Sequence, residues 1–467
     1  MIKLSCYKTI CVFCVLHFAT VISAPAQTFT TLVYFNDGSS IFSSLIQGRD
    51  GSLYGTSNNG GVSGAGSVFK VTPSGTLTTL YSFCSQANCA DGSLPFSALS
   101  LGVDGNFYGT TQNGGTVGLG TAFKITPGGG FTVLHSFDGT DGSSPDAGLV
   151  LGSDGNFYGT TYGGGNSEAG TVFKITPAGA LTTLHSFAGT DGDFPVAAVV
   201  QGFDGNFYGT TYAGGDQSSP CFGACGTVFK VTPRGKFTSL HSFDFTDGST
   251  PYAPLVQAGS GAFYGTTFGG GDVDFHGCAV GCGTIFKISS GGAFATVHKF
   301  HGGGDGGNLD SALIQATDGN LYGENLNAAD IFEFTLPRTF TTEHSFSAAG
   351  GGGGSTEVFQ ATDGEFYGTY GGTDGVPGAV FSLDTGLAPF VAFVIPTGTA
   401  GKTAQILGQG LVGTTSVTFN GFEATSFAVV SDTYMTAVVP SGATTGSVVV
   451  TTPTGTLTSN VSFRITN

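Results

Sequence analysis

Basic residues are scarce in this chain: 14 Lys and Arg stand against 31 Asp and Glu among 467 residues, and charged residues of both signs make up only 10%. A surface so poor in positive charge lacks the basic patch that phosphate binding needs, which excludes nucleic acid and anionic lipid as expected partners. Beyond the first 26 residues no stretch offers about 18 consecutive apolar residues, so no membrane-spanning helix is expected. Glycine reaches 81 residues, yet the G-X-Y period is missing and apolar alternation persists, which excludes collagen and disorder. What remains is a turn-dense all-β protein.

Met1 to Ala26 reads as a secretory leader: Lys3 and Lys8 form a basic start, Ile10 to Ile22 an apolar run, and Ala24-Pro25-Ala26 a small-residue cleavage site. A mature chain from Gln27 keeps 12 of the 14 basic residues against all 31 acids, a net charge of −19. Cys6, Cys11 and Cys14 leave with the leader. The other six fall into local pairs, Cys84 with Cys89, Cys221 with Cys225 and Cys278 with Cys282, which in an exported chain are expected to be disulfides. The expected location is secreted, periplasmic or on the cell surface.

One phrase, Asp-Gly-x-Phe/Leu-Tyr-Gly-Thr, recurs with small variations from Asp50, Asp104, Asp154, Asp204, Ser260, Asp318 and Asp363, at spacings of 54, 50, 50, 56, 58 and 45 residues. A period of this length built from short apolar alternations and Gly turns is the pattern of a propeller blade. Pro145 to Phe187 shows the plan of one blade: a short strand, the Asp154-Gly155 turn, a second strand, a Gly-rich loop, a third strand, a Pro turn and a fourth strand. Third-strand and fourth-strand phrases each occur seven times, but the array begins with a fourth strand at Phe29 and ends with a third at Ala379. This offset predicts that Phe29 to Phe35 completes the last blade and closes a seven-bladed β-propeller over residues 27–386. From Pro389 to Ile465 the repeat is gone, and about seven strands separated by turn signals are expected.

The last segment, through Ile406 to Gly410, Thr415 to Gly421 (TSVTFNG) and Ser447 to Thr452 (SVVVTT), resembles the IPT/TIG immunoglobulin-like family. The resemblance implies an Ig-like β-sandwich over residues 387–467, used for contacts or spacing. The phrases FYGTT from Phe157, GTVFKITP from Gly170 and LHSF from Leu184 resemble the GloVer tandem-repeat family of exported bacterial proteins over residues 29–385. That family brings no established activity.

Loops from fourth to first strands are acidic, with Asp138, Asp141 and Asp146 in one, Asp191 and Asp193 in the next, and Asp244 and Asp247 in a third. On the same face of a propeller lie the loops carrying Glu168, Asp216, Asp272 and Asp274. Asp138, Asp141, Asp191, Asp247, Asp272 and Asp274 are therefore candidate calcium ligands, since hard cations prefer oxygen donors. No loop has the EF-hand pattern, and aspartate before glycine also forms turns through its own backbone, which is the preferred reading. Gln47, Gln201, Gln257, Gln315 and Gln360 end five inner strands, with Leu101 and Leu151 in the other two. These amides are candidate linings of the central channel, although bonding between neighbouring blades satisfies them better. His135, His185, His241, His298 and His344 recur on the fourth strands, too far apart for one metal and suited to a half-buried ring between blades.

Enzymatic precedents fit poorly. The mature chain holds only Arg49, Arg234, Arg338 and Arg464, too few for a sialidase-like carboxylate clamp. A carboxylate-pair glycosidase has no fixed sequence spacing. The expected function is a non-catalytic binding protein that uses a propeller face for protein or glycan at the cell surface, with no cofactor unless calcium. The alternative is a glycan-active hydrolase or lyase using acids of the upper face, which a central pocket with a raised carboxyl pKa would favour.

Overall fold

The computed structural model describes residues 27–466 apart from 38, 42, 219–220, 222–224, 273–277, 279, 303–305, 326–329, 336–338, 346–357 and 371–376. The leader expected at 1–26 lies outside these residues. The protein is all-β, and one turn of 3-10 helix, Ala87–Cys89, is the only helical element among the described residues. Seven four-stranded antiparallel sheets follow one another in the propeller-like repeat. Sheet III is representative: Val150–Leu151, Phe157–Thr161, Thr171–Ile175 and Leu181–Ser186, paired in that order from the inner to the outer strand.

The repeated phrase accounts for how each sheet forms and how it packs on the next. Gly155 takes the turn with φ +77°, a conformation costly for a residue with a Cβ. Asp154 accepts from the Asn156 amide and from the Tyr158 hydroxyl at 2.8 Å, while the Tyr158 ring stacks on Phe207 of sheet IV at 3.7 Å. Gly159 leaves the space that Phe173 of the third strand fills, because a Cβ there would lie 2.7 Å from the phenyl ring. Thr160 donates to the Ala197 carbonyl of sheet IV at 3.0 Å, and Thr161 bonds Thr171 within the sheet. The same ring stacking recurs for Tyr54 on Phe107, Tyr108 on Phe157 and Tyr208 on Phe263, at 4.0–4.1 Å. A register shift between third and fourth strands, as at Val172/Phe173, adds to the twist of each sheet.

The seventh sheet draws on both ends of the array. Thr28–Tyr34 pairs antiparallel with Ala379–Asp384, from Thr28 opposite Asp384 to Tyr34 opposite Ala379, as the strand offset predicts. Sheet VII also packs on sheet I: Ala361, Tyr367 and Val380 share a core with Leu53, Phe69 and Val71.

The second β unit has two four-stranded sheets around one core containing Val391, Ile406, Val417, Phe419, Met435, Val450 and Phe463. Ten short strands replace the expected seven, because two-residue pieces such as Ala392–Phe393 and Phe422–Glu423 pair without any strong pattern of their own. This unit sits on the face formed by the Asp-Gly turns. Leu407 and Tyr434 enter a core with Leu101 and Phe107, and the Arg49 guanidinium lies 4.6 Å from the Tyr434 ring centroid while donating to Gln405. Arg464 lies over Phe203 and bonds its carbonyl. Leu101 and Leu151, the two breaks in the series of inner-strand glutamines, line a cavity of about 300 Å³ beneath Phe393 and Leu407.

Removing residues 27–35 deletes the outer strand of sheet VII and bares the edge of Ala379–Asp384. The truncated protein is expected to aggregate or lose its cooperative thermal transition, measured by scanning calorimetry with size-exclusion chromatography. A truncation that melts like the full chain would overturn this account.

Candidate functional site

Of the candidate cation ligands, Asp141, Asp191 and Asp247 sit on successive sheets, and each meets the histidine six residues earlier. The Nε2–Oδ2 distances are 2.6 Å for His135–Asp141 and 2.8 Å for both His185–Asp191 and His241–Asp247. In the first loop, Asp138 accepts from the Thr140 hydroxyl and amide, and Asp141 accepts from the Asp138 amide. The histidines lie between sheets, with His185 stacked on Phe237 and His241 on Phe294 at 3.7 Å. Burial lowers the pKa of His185 against the opposing pull of Asp191. Asp272 stands 3.8 Å from His301, and Asp274 lies outside the described residues. Asp138 and Asp141 share one loop, and among the described residues no three His, Cys, Asp or Glu are grouped so as to hold a metal ion. A recurring His-to-Asp spacing of six was the available signal for these pairs.

The five glutamines form a belt from sheet to sheet. The Gln201 side chain bonds the Ser153 amide and hydroxyl of sheet III, Gln257 accepts from Phe203, Gln315 from Gly259, Gln360 from Thr317 and Gln47 from Thr362. Gln47 and Gln360 also line the lower cavity. The disulfides Cys84–Cys89, Cys221–Cys225 and Cys278–Cys282 are present as local links.

A different set of residues converges at the upper mouth. Just before six of the seven inner strands, the chain passes through a common frame in which a Pro, Leu or Ile precedes, and a buried Ser or Ala follows, one variable residue. Threonines of the preceding sheet clamp this frame, Thr56 donating to the Ser97 carbonyl and Thr110 to that of Ala147, both at 2.9 Å. The variable residues are Phe96, Asp146, Val196, Tyr252 and Asp310, with Phe42 and Ser355 at the same register outside the described residues. All five line one cavity of about 250 Å³, walled lower down by Ala98, Gly148 and Ala198.

Second-strand ends add an aromatic rim. Tyr212 and Tyr252 meet edge to face at 5.0 Å, and Tyr162 stacks on Phe194 at 4.7 Å. Asp146 accepts from the Gln112 amide at 2.9 Å, and burial pushes its carboxyl up to about 6. Burial also raises Asp193, whose Oδ1 has no hydrogen-bond partner among the described residues, and pushes Tyr252 up to about 12, helped by Tyr212 and Asp310. Among the described residues, no Lys, Arg or His lines the cavity. The acidic-loop pattern in the sequence included Asp146 and Asp193 but gave no sign that Tyr162, Tyr212, Tyr252 and Asp310 join them.

Because Asp146 binds its proton more tightly in the folded chain, its favourable contribution is complete at about pH 4 and below and is lost as pH rises through about 6. Asp146→Asn keeps the acceptor for Gln112 and removes the charge. Near neutral pH it is expected to be more stable than the parent by on the order of 2 kcal/mol, the difference vanishing towards pH 4. Urea titrations at several pH values measure this, and an equally stable or less stable variant at neutral pH would contradict it.

The repeat array is similar in fold to solved proteins of low sequence identity. A streptogramin B lyase aligns with a TM-score of 0.55 at 13% identity, covering 77% of this chain and 97% of its own. Virginiamycin B lyase from Staphylococcus aureus aligns with a TM-score of 0.55 at 12% identity, covering 76% and 99%. A fungal alcohol oxidase solved with copper aligns with a TM-score of 0.53 at 13% identity, covering 94% and 99%, and so extends into the second β unit. These likenesses concern the fold. Sequence comparison with curated proteins returns no match. The model of the Gloeobacter/Verrucomicrobia repeat matches residues 19–152, 102–330 and 218–430, and the chain belongs to the Gloeobacter/Verrucomicrobia repeat family.

Proposed function

We propose that this chain is an exported binding protein: a leader over 1–26, a closed seven-bladed β-propeller over 27–386 with its ligand site at the upper mouth, and an IPT/TIG-like Ig unit over 387–467. The carrying observation is the variation of one position inside an otherwise repetitive frame. Phe96, Asp146, Val196, Tyr252 and Asp310 differ in charge, size and polarity, while the residues that hold them keep a narrow set of types. A position of purely architectural use would repeat with the fold, as Tyr158 and its equivalents do. Variation focused on one concave, partly apolar cavity with a few polar groups is the pattern of a recognition surface. The opposite face is occupied by the second unit through Arg49, Leu407 and Tyr434, which leaves the upper face for protein or glycan. Three local disulfides accord with an oxidising, extracytoplasmic location.

A second reading, a glycan-active hydrolase or lyase, is favoured by one observation: Asp146, whose carboxyl burial pushes up to about 6, shares the cavity with a second carboxyl group, that of Asp310.

Both readings are tested by presenting the full chain to immobilised neutral oligosaccharides and to cell-surface protein fractions, with product release assayed in parallel. The binding reading expects retention without turnover. Tyr252→Ala and Phe96→Ala are each expected to weaken retention roughly tenfold or more, as central aromatic contacts do. His185→Gln, remote from the mouth, is expected to leave retention unchanged. Turnover abolished by Asp146→Asn would favour the enzyme, and retention indifferent to every mouth substitution would reject the site.

A further inference from the structure

A cavity of about 300 Å³ lies on the lower face, where the repeat array meets the second β unit, and it shares only Leu149 and Val150 with the cavity of the upper mouth. We infer that this lower cavity is a second binding site, for an uncharged and mainly apolar small molecule of roughly ten non-hydrogen atoms whose one polar atom accepts a hydrogen bond from the Gln47 side chain.

The lining sets the chemistry of the occupant. Leu99, Leu101 and Leu151 of sheets II and III, Phe359 of sheet VII, and Phe393 and Leu407 of the second unit make the wall largely apolar, and among the described residues no charged side chain reaches it. A charged molecule would lose its hydration there without a partner, whereas an apolar one gains by leaving water. Leu151, Phe359 and Phe393 are only partly buried, so the wall keeps surface for a ligand to cover. Protein interiors are close-packed, and volume left unfilled lowers stability. This cavity has about twice the roughly 150 Å³ that suffices for benzene. Leu101 and Leu151 stand where other sheets carry a glutamine bonded to its neighbour, as Gln201 is to Ser153. Sheets II and III thus forgo that polar bond at the positions that supply apolar wall.

Gln47 supplies the polar contact, and it differs from the rest of the belt. Gln201, Gln257, Gln315 and Gln360 each donate to the glycine carbonyl of their own turn, at 2.9–3.1 Å. Gln47 is 2% exposed, donates to the Thr362 hydroxyl at 3.0 Å and accepts from the Thr362 amide. A primary amide carries two N–H donors, so one N–H of this cavity-lining side chain has no acceptor among the described residues. Buried donors are seldom left unpaired. A carbonyl, ether or hydroxyl oxygen on the ligand pairs with it while the remainder of the molecule covers the leucine and phenylalanine wall. Concave apolar sites with a few placed polar groups, at the junction of two structural units, are where small molecules commonly bind.

The test titrates the full chain by isothermal calorimetry with three probes of similar size: 4-phenyl-2-butanone, which carries an acceptor, propylbenzene, which has none, and 3-phenylpropionate, which is charged. The ketone is expected to bind at one site with submillimolar affinity, propylbenzene several-fold more weakly, and the carboxylate at least tenfold more weakly at neutral pH. Leu151→Phe and Ala392→Leu, which fill the cavity from its two sides, are each expected to reduce ketone affinity at least tenfold. Tyr252→Ala, at the upper mouth, is expected to leave it unchanged. Gln47→Met is expected to bring the ketone down to the affinity of propylbenzene, a loss of selectivity that a merely structural role for the amide would not produce. Thermal melts confirm that each variant is folded. Absence of ketone binding, binding indifferent to both filling substitutions, or equal affinity for the carboxylate would each overturn the site. Preference for the ketone that survives Gln47→Met would overturn the role given to Gln47.

Discussion

The structure depends on a tyrosine shared between neighbouring sheets. In Tyr158 the hydroxyl is held by Asp154 of its own turn, while the ring lies against Phe207 of the next sheet. One side chain thereby sets the conformation of a turn and the contact between two sheets. The Asp-Gly turn presents the acceptor, and the glycine after the tyrosine admits the phenylalanine of the third strand. Each sheet is too small to bury both of its faces alone, so stability arises from repetition of this contact, as in other repeat architectures. The glutamine belt and the threonine-to-carbonyl bonds provide polar counterparts of the same junction.

On this frame the two faces diverge. The lower face is built from the turns themselves, and the C-terminal unit docks there where leucines replace glutamines in sheets II and III. The upper face is built from the approaches to the inner strands, where a clamped backbone carries side chains that differ from sheet to sheet. A rigid scaffold with a few variable positions at one end is a general way to place recognition on a stable fold. An ionised Asp146 is a poor choice for stability alone, and its presence at the mouth fits the common exchange of stability for function.

The sequence made legible those features whose signals lie close along the chain. Strand order, the offset that joins Thr28–Tyr34 to Ala379–Asp384 and the three local cysteine pairs all follow from spacing and periodicity. Features that depend on neighbours distant in sequence were less accessible. Asp141 appeared as one acid among several, and only the outer-strand geometry brings His135 to it. The mouth was harder still, since Phe96 and Asp310 are separated by more than 200 residues and the frame around them shows as a common register only once the sheets are aligned. The two-residue strands of the second unit went unrecognised because pairing in so short a piece is imposed by tertiary contacts rather than by local preference.

The composition of sheet VII sets an order of events for a chain that emerges from its N-terminus. Its outer strand is made first, and its partner Ala379–Asp384 some 350 residues later. Bringing such distant segments together carries a loop-closure cost of roughly 5 kcal/mol if the intervening chain is loose, and far less once the six intervening sheets have assembled. The first strand to leave the ribosome is therefore the last to find its place. Until it does, the growing array presents an open strand edge at its advancing end. A chain held extended until it has crossed a membrane avoids that exposure, and its assembly then finishes in one compartment.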